Sequence, residues 1–127
     1  GPERARGLMV TVHQRLAEAV QLLGVVGALW AAYCVFRRTP SPGLRVYLLL
    51  SEAVISVQAL LGIGLALAGH RPHDNLHFIY GPAVLLSLPV AYLIGTRTDE
   101  RGEHLAWLGG CVAVVLLSLR AIQTGSG

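Results

Sequence analysis

The sequence predicts an all-α fold: an integral membrane, antiparallel four-helix bundle. Two observations carry that expectation. Hydrophobic residues make up 54% of the 127 positions and charged residues 13%, with a mean hydropathy of +0.59. That is too apolar for an ordinary soluble domain of this length. The second observation is four apolar runs, at about 8–36, 44–68, 76–96 and 104–121. A helix needs about 20 residues to cross the hydrocarbon layer. Short connections make sequential helices antiparallel neighbours. No room is left for a soluble domain, so residues 1–127 read as one transmembrane unit.

The first run has its apolar core from Leu16 onward and stops at Arg37 and Arg38. Its length and these flanking arginines argue against a cleavable signal peptide. Gly1-Pro2 reads as a remnant of protease processing. The second run spans Leu44 to Ala68. The third follows Asp74 and Asn75, both good helix-capping residues, and opens with His77. The fourth begins near His104 and ends at Ala121.

All ten basic residues are arginines, and the isoelectric point is about 9.3. In a soluble protein this would suggest nucleic acid. Here the arginines sit at helix ends, where they act as topology signals and headgroup anchors; the expected partner is the lipid bilayer, with no nucleic acid. The loops RRTPSPGLR and TRTDERGEH, on one side, carry Arg37, Arg38, Arg45, Arg97 and Arg101. The loop GHRPHDN on the other carries only Arg71. Loop counts place the arginine-rich loops in the cytoplasm and both termini outside, as in a prokaryotic plasma membrane. Arg4, Arg6 and Arg15 in the N-terminal stretch make the full count equal.

Helix parity gives a result independent of orientation. The first and third helices run the same way, so His13 and His77 share a membrane face. His13 lies 24 positions before Arg37 and His77 lies 20 before Arg97. The mismatch is roughly 6 Å at about 1.5 Å rise per residue. His70, His73, Arg120 and the ends of the second and fourth helices belong to the same face. His104 belongs to the other.

The face of the first helix below His13 carries Ala17, Val20, Gln21, Gly24, Gly27, Ala28 and Ala31. Gly81 follows His77 by four residues, Gln58 precedes Gly62 by four, and Gly109 and Gly110 lie in the fourth helix. Small residues let membrane helices approach closely. Beside a histidine they also leave space for a flat macrocycle. Two readings are therefore open for His13 and His77. They are interfacial residues solvated by headgroups, or they are the axial ligands of a heme iron. In the second reading Arg15 and Arg120 pair with propionates, and Tyr80 donates to a propionate or a quinone. A zinc site built from His70, His73, His77 and Asp74 is a further alternative.

Two acids, Glu18 and Glu52, lie within the apolar runs, where charge is costly. Glu18 is expected to pair with Arg15 or Arg120, and Glu52 with Arg38, Arg45 or Arg97. The alternative is proton delivery to a redox site. Cys34 and Cys111 should stand at different levels and read as two small buried residues.

Three segments, VHQRLAEAVQLLGVVGALWAAYCVFRR, LLLSEAVISVQALLGIGLALAG and HFIYGPAVLLSLPVAYL, resemble one four-helix half of heme A synthase. That family has a histidine opening one helix, a Gln-x-Leu-Gly-like segment in the next, and a second histidine opening the third. The closing LRAIQTGSG is similar to its Arg-x-Thr-Gly-Ser-Gly signature. The resemblance implies a heme held by His13 and His77, with Gln58 to Gly62 as the glutamine segment. The departures are plain. The family has eight helices and this chain four; Gln14 interrupts the His-Arg pair; and the long loop bearing the family's catalytic glutamate is missing. Such a chain is expected to keep heme binding without synthase chemistry, and a homodimer would restore eight helices.

The leading expectation is a small membrane cytochrome with one b-type heme, serving electron transport or heme handling, with quinone as a further cofactor. Any enzymatic activity would be that of an oxidoreductase. The alternatives are a cofactor-free accessory subunit of a larger, respiratory membrane complex, and a small transporter lined by Glu18 and Glu52.

Overall fold

The structure, a computed structural model, describes residues 1–39, 41–69 and 75–126. Among the described residues there are four helices: α1 (Pro2–Arg37), α2 (Pro42–Leu67), α3 (His77–Gly95) and α4 (Glu100–Ser126). All four are long and apolar enough to cross a membrane, with best-window mean hydropathies of 1.8 to 2.1. The protein is an all-α helical bundle, and its apolar helices suit a bilayer.

Two helices run well past the apolar runs that announce them. α1 starts at Pro2 rather than near Leu8. Proline at the first helical position loses nothing, because that N–H has no helical partner, and Glu3 complements the positive end of the dipole. α4 takes in Glu100–Glu103 and continues to Ser126. Its start is fixed by Asp99, whose Oδ1 accepts from the Gly102 N–H at 2.8 Å. Hydropathy misses both extensions because helix formation outside the hydrocarbon needs propensity and caps, not apolarity.

The other ends have equally local causes. α1 stops at Arg38, which is left-handed (φ 53°, ψ 39°) and donates its N–H to the Cys34 carbonyl. Ser41 caps α2: its Oγ accepts from the Leu44 N–H at 3.3 Å, with Pro42 just inside. α3 is not capped as the sequence suggested. Its N-cap is Leu76, with no side-chain cap bond; Asn75 contributes only its carbonyl, to the Phe78 N–H. Asp74 lies outside the described residues.

The contacts fix the topology. Trp30 of α1 meets Gly43 of α2, whereas His13 meets Gly62. Gly24 meets Val114 and Val115 of α4, and Gly27 meets Cys111. Gly110 meets Ala91 of α3, and Gly125 meets His77. Each sequential pair, and α1 with α4, is therefore antiparallel. α1 and α3 run parallel and face each other across the diagonal. α4 packs most extensively, against both α1 and α3; the α2–α3 seam is the thinnest.

The buried positions step by three and four. α1 buries Val20, Gly24, Gly27, Ala31 and Cys34; α2 buries Leu44, Leu48, Ser51 and Ile55; α3 buries Val84, Leu88, Ala91 and Gly95. α4 continues the pattern with His104, Trp107, Cys111, Val114, Ser118 and Ala121. This is the near-parallel packing of left-handed bundles. Glycines set the helix spacing. A methyl group on Gly27 would reach 2.8 Å from Cys111 Sγ, and one on Gly110 would reach 2.6 Å from Ala91 Cβ. Leu22, Leu29, Leu60, Leu67 and Phe36 point outward. That is the arrangement a lipid solvent requires, because association there rests on close packing rather than on hiding apolar surface.

Candidate functional site

At one end of the bundle His13 of α1 and His77 of α3 face each other across the diagonal. Their ring centroids stand 6.2 Å apart with the planes at 79°. Both residues are half-buried. His77 reaches this position because it opens α3, and His13 because the long α1 continues for three turns beyond it.

Each histidine is backed by a neighbouring helix. Gln58 Nε2 donates to the His13 carbonyl oxygen at 2.7 Å. A carbonyl only accepts, so the amide nitrogen must be the contacting end. Gln58 Oε1 is then buried with no hydrogen-bond partner among the described residues. One turn further on, a methyl group on Gly62 would lie 3.2 Å from His13 Cε1. On the other side His77 Nδ1 lies 2.7 Å from the Ala121 carbonyl oxygen of α4. The same logic makes Nδ1 the protonated nitrogen, and in a neutral ring it leaves Nε2 with its lone pair. A methyl group on Gly125 would come within 2.8 Å of His77 Cε1 and Nδ1.

Arg120 and Tyr80 form a second layer at the same end. The guanidinium lies 5.6 Å above the Tyr80 ring centre and donates to Gln123 Oε1 at 2.9 Å. Arg6 ties the α1 extension to the end of α2, donating to the Ala68 carbonyl at 2.7 Å.

The sequence-derived set is thus partly assembled. His13, His77, Gln58 and Gly62 come together, with Tyr80 and Arg120 beside one another. Arg15 does not join them. It pairs with Glu18 at 3.6 Å, and the two side chains are 79% and 66% exposed. Gly81 is not packed on a partner: a methyl group there would meet nothing within 4 Å. His70, His73 and Asp74, the rest of the zinc alternative, lie outside the described residues. Among the described residues no three His, Cys, Asp or Glu side chains converge. Ala121, Thr124 and Gly125 were missed. The signal was the α4 seam itself: continued four positions past Ala121, it lands on Gly125.

The opposite end holds a separate cluster. Arg45 Nη2 lies 3.3 Å from Glu103 Oε1, and its guanidinium lies 5.8 Å from the Trp107 ring centre. His104, 3% exposed, meets Trp107 edge-on at 5.5 Å. Arg45 is engaged by Glu103, and among the described residues Glu52 forms no ion pair with Arg38, Arg45 or Arg97. Glu52 Oε1 is buried without a hydrogen-bond partner among the described residues. Glu18 faces outward and Glu52 inward, so the two acids do not line one path. Cys34 and Cys111 are both free and buried.

Set against family models, curated proteins and solved structures, the chain has no match in any of the three comparisons. What the fold and site define is a class: a four-helix membrane bundle with a histidine pair spanning one end.

Proposed function

We propose that this protein is a membrane cytochrome-like bundle for one b-type heme, whose iron His13 and His77 would hold. The supporting observation is the separation of the two rings. Two imidazoles that share one metal ion, at about 2.0 Å per metal–nitrogen bond, need ring centres within roughly 6.4 Å of each other. The observed value is 6.2 Å. A glycine stands close to each ring, Gly62 of α2 at His13 and Gly125 of α4 at His77. Two half-buried imidazoles at this separation are a donor set that suits a heme iron.

A bound heme supplies a reversible one-electron couple. The chain's own residues do the rest. His77 is held with Nε2 available for ligation by its Nδ1 bond to Ala121. Gln58 clamps the helix turn that carries His13. Arg120, braced by Tyr80 and Gln123, offers a cation to a propionate or to another anionic group. The role is electron transfer, with quinone as a partner, or heme handling of the kind heme A synthase resemblance implies. The membrane is that of a prokaryotic cell, and the loop arginines favour an extracytoplasmic histidine end and termini. A homodimer or a larger respiratory complex would complete the assembly.

The test is the visible spectrum of the detergent-purified protein, oxidised and dithionite-reduced, repeated on His13→Ala and His77→Ala. A sharp reduced α-band lost in both variants is the expected result. A colourless protein that also fails to take up added hemin would overturn the reading.

A further inference from the structure

The last turn of α4 lies directly on His77, and the heme reading alone does not require that. Three features of residues 121–125 act on one imidazole. The Ala121 carbonyl accepts from Nδ1 at 2.7 Å. Gly125 brings the α4 backbone so close that a methyl group would reach 2.8 Å from both Cε1 and Nδ1. Thr124, 5% exposed, donates its hydroxyl to the Arg120 carbonyl at 2.9 Å and reaches the Ala121 carbonyl at 3.2 Å. The hydroxyl thus shares the acceptor that His77 uses.

We propose that residues 121–125 are a positioning element that sets both the tautomer and the aim of His77, with Gly125 as its indispensable member. A carbonyl accepts only a protonated nitrogen, so the seat selects the Nδ1–H form and presents Nε2 as a bare lone pair. A β-carbon at 125 would stand 2.8 Å from Cε1 and Nδ1, inside van der Waals contact, so the ring would have to turn about its own side-chain bonds. A turned ring loses the 2.7 Å bond to the Ala121 carbonyl. Thr124 ties the carbonyls of the same turn, so the acceptor stands still. The function assigned to the seat rests on the heme reading; its geometry and tautomer do not.

The experiment separates the two. The heme-free protein is labelled with ¹⁵N-histidine, and the His77 resonances are assigned with His77→Ala. Spectra are taken on the neutral ring, reached where the ¹⁵N shifts stop changing as the pH is raised. The expected pattern is a protonated Nδ1 and a bare Nε2. Gly125→Ala should lose that pattern and weaken hemin uptake at least tenfold. Gly109→Ala, where a methyl group meets open space, should leave both unchanged. A His77 protonated on Nε2 in the wild type would overturn the proposal, even if Gly125→Ala failed to fold. So would a folded Gly125→Ala that keeps both the wild-type pattern and its hemin uptake. A wild type with the expected tautomer that binds no hemin would uphold the seat and remove the heme reading.

Discussion

Gly109 and Gly110 are adjacent in α4, and the structure gives them opposite fates on substitution. A β-carbon on Gly110 would stand 2.6 Å from Ala91 Cβ, 3.4 Å from the Ser87 carbonyl oxygen and 3.5 Å from Leu88 Cδ2. Two of those three atoms cannot rotate away: one is itself a β-carbon and the other is backbone. Carbon pairs settle at about 3.5–4.0 Å, so α3 and α4 must part locally by roughly 1 Å. Overpacking of this kind costs about 1–3 kcal/mol. A β-carbon on Gly109 would meet nothing within 4 Å. Both substitutions gain the same helix propensity of about 0.5–1 kcal/mol, which cancels in the comparison. Gly110→Ala is therefore expected to be less stable than Gly109→Ala by about 1–3 kcal/mol. The assay is reversible unfolding in mixed micelles with increasing dodecyl sulfate, followed by Trp30 and Trp107 fluorescence. Equal midpoints for the two variants would refute the argument that glycine sets the α3–α4 spacing.

Three further outcomes are expected in the same assay. Gln58→Met removes one hydrogen bond and one orphaned oxygen together, so stability should change by less than about 1 kcal/mol, whereas Gln58→Glu sets an acceptor against the His13 carbonyl and should cost more than about 2 kcal/mol. Glu52→Leu removes a buried carboxylate oxygen that has no hydrogen-bond partner among the described residues, and should stabilise by about 1–3 kcal/mol; a loss of stability would mean that Glu52 makes a bond the described residues do not supply. Tyr47→Phe breaks the bond from the Tyr47 hydroxyl to the Leu23 carbonyl at 2.7 Å and should cost about 1 kcal/mol, with an unchanged midpoint counting against that bond.

The sequence by itself determined the architecture, because its causes are local or additive. Hydropathy over some twenty residues names a helix that lipid can solvate. Short loops force neighbours to alternate, and parity alone put His13 and His77 at one end. Caps are equally local, as Ser41 with Pro42 illustrates. α1 and α4 extend past their apolar runs because the first turns of both helices stand in polar sequence.

The tertiary structure decided what no window of sequence contains: which neighbour claims each polar group. Arg15 was a candidate anchor for the site, but it lies on the outer face of α1 and pairs with Glu18. Arg45 was a candidate partner for Glu52, but α4 delivers Glu103 to it first. Gln58 of α2 donates to the backbone carbonyl of His13 on α1, a partner that no spacing within α2 reveals. Gly81 and Gly125 are the same residue type near the same histidine. One meets nothing, and the other carries the imidazole. These outcomes depend on helix rotation and on offset along the axis, which are set by interdigitation over whole seams. A residue's partner is fixed only when every helix has settled against its neighbours.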